Sequence, residues 1–203
     1  MVQNITPIMT SNTSPSPYII SASSSYIYPY QGVNNDCWNA FTRKNNVVFS
    51  DLNTWSNNRN QFPCWIKIDL SKQTKINQFS FRRKIWSDNN VCNIPSIFRL
   101  EGSNDNINWT ILKKCNETVS SWVNPEKKYT LDKNANYRYY RIYIDKSIRG
   151  YNTSDYDQVY LSNVNFLYDD ELFYTPSESI KEAVYSELKK VVDKYSTAFE
   201  TEE

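Results

Sequence analysis

The stretch FRLEGSNDNINWTIL, residues 98–112, carries the clearest information on the fold. Its first residues alternate apolar and charged side chains, as in a strand with one packed face and one wet face. Gly102 lets the chain turn out of this strand, and the Ser-Asn-Asp run at 103–105 is typical of a turn closed by side-chain to backbone hydrogen bonds. A return strand opens with Trp109, which we expect to pack in the core, as we do for Trp65 at the start of another strand.

The same alternation recurs along most of the chain. It is clear in WIKIDL (65–70), YRYYRIYI (137–144) and VYLSNVNFLY (159–168). Loops rich in Asn, Asp and Ser separate these segments, such as SDNN (87–90) and NTSDYD (152–157). Aromatic residues make up 15% of the chain and Gly is scarce, a composition that favours strands. The pattern therefore predicts an all-β sandwich or jelly roll.

The periodicity changes after Phe173. Thr175 is a good helix N-cap, Pro176 suits the first helical position, and Glu178 completes a capping box. Apolar residues then recur every three or four positions and form one stripe: Ile180, Val184, Leu188, Val191, Tyr195 and Ala198. The spacing predicts a C-terminal amphipathic helix. Two readings remain open: the helix packs on its own sandwich, or it joins copies of the chain or attaches them to a larger assembly. We expect a sandwich over residues 1–171 and an oligomerisation or docking segment over 172–203.

The charge and the composition of the chain exclude some classes of function. The formal net charge is +1, so no global field favours nucleic acid or an anionic membrane. The chain contains no His, which removes the commonest general base and the usual nucleophile pairs. We therefore expect no enzymatic activity and no nucleic-acid partner.

The four cysteines, Cys37, Cys64, Cys92 and Cys115, lack the CxxC spacing of a zinc knuckle. Either they form two disulfides, in one of three pairings, or all four are free and mostly buried. The second alternative is favoured.

The segment MVQNITPIMTSNTSPSP at the start has no basic region followed by an apolar one, so we expect no signal peptide. No stretch approaches the ~20 apolar residues of a membrane helix.

Seven pieces of the sequence, in this order, carry a family resemblance: MTSNTSPSPYIISASSSY (9–26), WNAF (38–41), NTW (53–55), FPCWIKIDL (62–70), FRLEGSNDNINWTIL (98–112), YRYYRI (137–142) and VYLSNVNF (159–166). Together they resemble the discoidin domain, also called the coagulation-factor C-type (F5/8 type C) domain, of the galactose-binding-like superfamily. The resemblance implies a jelly-roll β-sandwich over about residues 9–168 and excludes the C-terminal helix. Bacterial carbohydrate-binding modules are close relatives. The opening segment also resembles the version found in bacteriophage virion or tail proteins and bacterial surface proteins, which implies a virion or cell-surface location; without it we expect a cytoplasmic protein.

The resemblance also bears on calcium. Many relatives hold a structural calcium ion with an Asp and a Glu, and the matching positions here are Thr42 and about Asn163. Calcium prefers carboxylate oxygens, so both anionic ligands are replaced by neutral groups. Weak candidates remain at three other positions of the loop: Ala40, Asn45 and Asp51. We expect no cofactor and disfavour calcium, with Arg43, Lys44 or a hydrogen-bonded water stabilising the loop in its place.

Relatives that bind sugars do so on loops at one end of the sandwich, with an aromatic ring stacked on the sugar and polar side chains on its hydroxyls. Three loops have that composition: residues 26–36, 82–90 and 149–158. The candidate ligand-binding residues are Tyr30, Arg82, Arg83, Trp86, Asp88, Tyr151, Asn152 and Tyr156. Many relatives also use a His, which weakens the expectation of a galactose-like specificity.

We therefore expect a non-catalytic module that recognises cell-surface glycans. The alternative is a structural or adaptor protein of a virion assembly, whose loops and C-terminal helix bind proteins. A third reading is lipid binding through Lys84-Ile85-Trp86 beside the two arginines, and we regard a membrane partner as the weakest of the three.

Overall fold

The computed structural model describes residues 1–28, 33–43, 54–83, 93–122, 124–148, 157–173 and 178–199. Within these ranges the chain forms ten strands, two short 3-10 helices and one α-helix. The strands are β1 (Val2–Asn4), β2 (Ile19–Ala22), β3 (Ile27–Tyr28), β4 (Val33–Asn34), β5 (Trp55–Ser56), β6 (Cys64–Arg83), β7 (Ile94–Ser103), β8 (Thr110–Asn116), β9 (Glu126–Ile148) and β10 (Tyr160–Asp169). The 3-10 helices are Cys37–Phe41 and Val119–Ser121, and the α-helix is α1 (Glu178–Phe199).

Eight of the described strands form one hydrogen-bonded sheet. Its order is β1-β10-β6-β9-β7-β8, with β2 beside β6 and β5 beside β10, while β3 and β4 form a separate hairpin. The pairings between the described strands are antiparallel. An antiparallel sheet of this kind tolerates one packed face and one wet face, as the alternating sequence requires.

The two longest strands bend this sheet into a sandwich. β6 and β9 contain 20 and 23 residues, and the register between them shifts between Asp69 and Thr74 and again between Ile76 and Gln78. Before these irregularities β6 also pairs with β2, and after them it pairs with β10. Irregularities of this kind bend strands and increase their twist, so the two halves of each strand belong to opposite layers. The predicted all-β jelly-roll sandwich with a C-terminal helix is confirmed.

The core consists of the side chains that the alternation of apolar and polar residues predicts on the inner face. In β6 and β9 they are at most 2% exposed: Ile66, Ile68, Leu70, Tyr140, Ile142 and Ile144. A cluster of aromatic rings joins the layers. The Phe81 ring lies 5.5 Å from the rings of both Phe98 and Trp122, and 5.6 Å from that of Tyr129. Such edge and offset contacts stabilise a core beyond the area they bury.

The turn after β7 has the hydrogen bonds that its sequence predicts. The backbone N–H of Asn106 donates to Ser103 Oγ at 2.9 Å, and Oδ1 of Asp105 accepts from the backbone N–H groups of Ile107 and Asn108 at 2.9 and 2.8 Å. The Asn108 side chain and these N–H groups hold the pKa of the Asp105 carboxyl well below its usual value.

Glycine is required at position 102 for a different reason from the one that the sequence predicted. A Cβ at this position would lie 2.5 Å from Cδ2 of Tyr137. The residue is therefore required by the close approach of that ring to the backbone rather than by a turn conformation.

The predicted core positions of Trp65 and Trp109 are wrong. Both residues are half-buried on the outer face, because Trp65 alternates with the inward-facing Ile66. Cations cover their rings: Nζ of Lys67 lies 5.1 Å from the Trp65 centroid, and Cζ of Arg141 lies 3.8 Å from the Trp109 centroid. The tryptophans thus stabilise the wet face of the sheet.

The chain divides into two compact units, Met1–Asp169 and Asp170–Glu203. The first contains all the described strands, and the second contains α1. The predicted N-terminal cap of the helix, at residues 175–176, lies outside the described residues. Within the part of the chain that the structure describes, no helix has the length and apolar character needed to span a bilayer.

Candidate functional site

The described strand ends that flank two of the three candidate loops lie at the same end of the sandwich. Arg83, the last residue of β6, is the partner of Leu161 at the start of β10, and Ile94 of β7 is the partner of Ile148 at the end of β9. Asn93 connects these pairs, because its N–H donates to Ile148 O at 2.7 Å and its carbonyl accepts from Tyr160 N at 2.8 Å. The strand ends that bound segments 84–92 and 149–156 are therefore adjacent.

The base of the third loop lies beside them. Ser56 of β5 is the partner of Tyr160 in β10. Its carbonyl accepts from Tyr26 N at 2.8 Å, and its N–H donates to Asn35 O at 3.3 Å. Tyr26 and Asn35 flank the β3–β4 hairpin, which carries the segment 29–32. The structure thus brings together the bases of all three predicted loops, as expected of binding loops held by a rigid sheet.

Most of the predicted contact residues lie outside the described residues. They are Tyr30, Trp86, Asp88, Tyr151, Asn152 and Tyr156. Their roles stay predictions. Of the eight candidate ligand-binding residues, only Arg82 and Arg83 are described.

The two arginines differ in their surroundings. Arg83 is 6% exposed and shares the strand face of the fully buried Phe81, and its backbone N–H donates to Pro125 O at 2.8 Å. Arg82 is half-buried on the opposite face, where its carbonyl accepts from Ser162 Oγ at 3.1 Å. Arg82 is therefore the more accessible of the two arginines, and it is the better placed to contact a ligand.

A layer of buried polar groups supports the loop bases. Asn57 is fully buried: its Oδ1 accepts from Val159 N at 2.8 Å, and its Nδ2 donates to Gln61 O at 2.9 Å. Its carbonyl accepts from Gln158 Nε2 at 2.8 Å, and Gln158 Oε1 in turn accepts from the Tyr160 hydroxyl at 3.0 Å. Satisfied polar networks of this kind fix one geometry, because any broken member would leave a buried group unpaired. They hold the start of β10 in register with the 57–61 segment.

The 57–61 segment also lies at this end of the sandwich, although its sequence was not predicted to belong to the site. Asn60 N donates to Asp157 O at 2.8 Å, and Asp157 N donates to Asn60 Oδ1 at 2.6 Å. The exposed Arg59 places its Cζ 5.0 Å from the Tyr26 ring centroid. These residues add a cation, an aromatic ring and amide groups to the same end of the sandwich. The signal was present in the polar run NNRNQ (57–61) between Trp55 and Phe62.

The described start of the loop that matches the relatives' calcium site, residues 40–43, forms contacts within the protein. Ala40 is fully buried in the Cys37–Phe41 helix, whereas Asn45 and Asp51 lie outside the described residues. Thr42 Oγ1 donates to Asn39 O at 3.2 Å, and the Arg43 guanidinium donates to Thr6 O. Among the described residues, no cluster of three or more Asp, Glu or Cys side chains has the geometry of a metal site. A guanidinium beside a hydroxyl is a poor donor set for a divalent cation, so Thr42 and Arg43 do not supply the anionic ligand that calcium prefers.

We predict that calcium leaves the stability of the fold almost unchanged. Because Arg43 anchors the loop to the N-terminal segment through Thr6, replacing calcium by a chelator should move the melting temperature by less than about 2 °C, whereas a tight site would add several kcal/mol. Differential scanning calorimetry in 1 mM calcium and in EDTA measures this shift. Magnesium serves as the control, and a rise of many degrees specific to calcium would contradict the prediction.

Three of the cysteines, Cys37, Cys64 and Cys115, carry free thiols, and Cys92 lies outside the described residues. Burial, and then the charge of Asp36, raises the pKa of Cys37 to about 12. Burial also raises the pKa of Cys115 to about 12. Thiols with such pKa values are protonated and unreactive near neutral pH. They behave as packing groups of the sandwich.

Comparison with known proteins is consistent with this geometry. A family model described as the NedA-like, galactose-binding domain of the F5/8 type C group matches residues 32–142. The matched range includes β4 to β8 and most of β9. The chain belongs to this family. None of the curated proteins matches it in sequence.

Solved structures share the fold. The family 32 carbohydrate-binding module of Streptococcus pneumoniae EndoD is 15% identical, with a TM-score of 0.57 over 82% of this chain and 100% of that one. The family 32 module of Clostridium perfringens NanJ, solved with galactose, is 14% identical, with a TM-score of 0.55 over 82% and 99% of the two chains. A C. perfringens module, CpGH89CBM32-5, solved with GalNAc-β-1,3-galactose, is 15% identical, with a TM-score of 0.55 over 75% and 95%. At these sequence identities the similarity shows a shared fold and nothing more.

Proposed function

We propose that this chain is a non-catalytic module that binds glycans at the end of the sandwich where its three candidate loops meet. The observation that carries the proposal is the convergence of these loop bases on one buried polar layer, in a chain that belongs to a galactose-binding domain family. A rigid base with aromatic and amide-rich loops meets the two needs of sugar recognition. Rings stack on apolar sugar faces, and polar groups pair with hydroxyls.

The chemistry available at this end favours binding over catalysis. The chain has no His, so a nucleophile of the Ser-His or Cys-His type is excluded. The described groups at the loop bases include amides, guanidinium groups, aromatic rings and the carboxylate of Asp157. These groups hold hydroxyls in place and do not polarise a glycosidic bond, which takes a pair of spaced carboxylic acids.

Related modules suggest which sugars to test. The NanJ module was solved with galactose, the CpGH89CBM32-5 module with GalNAc-β-1,3-galactose, and two further structures are of a chitosan-binding module from Paenibacillus. We propose a glycan of a cell surface as the natural ligand. The resemblance of the opening segment to surface and virion proteins supports a role at a cell or virion surface.

The proposal predicts that Trp86→Ala lowers glycan affinity at least ~10-fold, or ~1.4 kcal/mol, because it removes the largest ring of the candidate loops. Arg82→Ala should act in the same direction by removing a hydrogen-bond donor. A glycan array identifies a ligand for the intact chain, and isothermal titration calorimetry then compares the variants.

Trp109→Ala is the matched control, since Trp109 follows the turn at the other end of β7 and should leave affinity unchanged. Binding to no glycan on the array would overturn the proposed function. Equal losses in Trp86→Ala and Trp109→Ala would argue for general unfolding and against the proposed location.

A further inference from the structure

The helix α1 carries an apolar stripe that is exposed in the structure. Its larger apolar side chains are between 43 and 74% exposed: Ile180, Val184, Tyr185, Leu188, Val191, Val192 and Tyr195. Part of the stripe forms a shallow groove of about 360 Å³ lined by Val184, Leu188 and Val191, with Ala183 and Glu187 at its edge. A continuous patch of this kind on a helix marks an interaction surface.

The stripe follows a heptad pattern from Val184 onward. Val184, Leu188, Val191 and Tyr195 are separated by four, three and four residues, the spacing of alternating d and a positions in a coiled coil. A second copy of the same helix offers the same spacing. Because the pattern starts only at Val184, the predicted pairing is centred between residues 189 and 190, near the middle of α1.

The charges of the helix select the direction of the second copy. On the two sides of this centre, residues 178–189 contain three Glu and two Lys, a net charge of −1, whereas residues 190–199 contain two Lys and one Asp, a net charge of +1. Two parallel copies would place like charges together. Two antiparallel copies place the negative half of each against the positive half of the other, and opposed helix dipoles favour the same arrangement.

The flanks of the stripe agree with this direction. In the antiparallel register Leu188 packs against Val191 of the second copy, and Glu187 then lies beside Lys194 of that copy. Glu187 holds Lys190 at 2.7 Å within its own helix, but this pair is about 70% exposed. Exposed ion pairs contribute little to stability. Weakening the Glu187–Lys190 pair so that Glu187 also contacts a second cation therefore costs little free energy. The other flank pairs Tyr185 with Val192 and extends the apolar area.

We propose that α1 is a self-association helix that pairs with a second copy of this chain in the antiparallel direction. The two-fold symmetry of such a pair makes every contact occur twice. The dimer carries two sandwiches, and bivalence raises avidity for a multivalent surface; this consequence rests on the proposed function, whereas the dimer does not.

Sedimentation or light scattering of the full-length chain tests the dimer. We expect a dimer for the chain itself and a monomer for Leu188→Glu, which places a charge in the apolar seam. Ser186→Glu is the matched control, because Ser186 lies on the opposite side of the helix, and it should remain dimeric. A chain that stays monomeric up to 100 μM, or a Leu188→Glu variant that stays dimeric, would overturn the proposal.

Charge reversal tests the direction. Glu187→Lys and Lys194→Glu should each raise the dimer dissociation constant at least 10-fold, because each creates two like-charged contacts. An equal mixture of the two variants should form heterodimers preferentially, and the double variant should recover the original affinity. Parallel helices would show neither the preference nor the recovery, which would refute the antiparallel arrangement. Circular dichroism and glycan binding of each variant report folding and the glycan site independently of the dimer.

Discussion

Replacing Phe81 by alanine is expected to lower the free energy of unfolding by about 3–5 kcal/mol. Phe81 is fully buried where the two layers meet, with its ring 5.5 Å from those of Phe98 and Trp122. The truncation removes the contacts on which several neighbouring rings depend and leaves a cavity that this packed junction cannot close. The melting temperature should fall by roughly 10 °C or more for a unit of this size.

Urea unfolding followed by tryptophan fluorescence measures this loss. Ile107→Ala is the control, since Ile107 is 79% exposed and its truncation should change stability by less than about 0.5 kcal/mol. A Phe81→Ala variant within about 1 kcal/mol of the original chain would show that the two layers do not meet at this residue. The curved path of β6 would then be wrong.

Replacing Asn57 by alanine is expected to cost about 2–4 kcal/mol. The amide of Asn57 satisfies the buried N–H of Val159 and the carbonyl of Gln61. Alanine would leave the N–H of Val159 without its partner in a fully buried place and the carbonyl of Gln61 without its partner in a partly buried one, and unpaired buried polar groups are costly. The start of β10 would also lose its link to the 57–61 segment, so we expect weaker glycan binding even where the variant is folded.

Thermal unfolding and calorimetric binding of the same variant measure the two effects. Gln61→Ala is the matched control, because the side chain of Gln61 is exposed and only its carbonyl is used. If Asn57→Ala and Gln61→Ala were equally stable, the buried polar layer would have no structural role. A destabilised Asn57→Ala variant with unchanged affinity would show that the polar layer stabilises the fold but does not support the binding site.

The sequence predicted the fold well because alternation is a local signal. Ile66, Ile68 and Ile142 lie on the inner face as their spacing requires. The errors concern features that depend on distant residues. The outward position of Trp65 followed from alternation with Ile66, but its size suggested the core. The role of Gly102 depends on the Tyr137 ring, 35 residues away, which no local pattern reveals.

The candidate site was predictable only in part. The composition of the loops identified their aromatic and polar residues, and the structure places the loop bases together. The supporting layer was missed because Asn57 and Gln158 are polar residues that are fully buried. In sequence they resemble ordinary loop residues, and their role appears only when the end of β5 and the start of β10 bring them into contact. The difference between Arg82 and Arg83 likewise follows from strand faces near a loop rather than from residue type.

The location of the bound sugar is the most direct test of this account. Two-dimensional NMR of the isotope-labelled chain, titrated with the glycan that the array identifies, maps the contact surface residue by residue. We predict that the shifted amide signals cluster around residues 26–35, 57–61, 82–93 and 149–162. Shifts centred on the turn at 103–109, or on the face that carries Trp65 and Trp109, would contradict the claim that this protein binds glycans at the end of the sandwich where its loops converge.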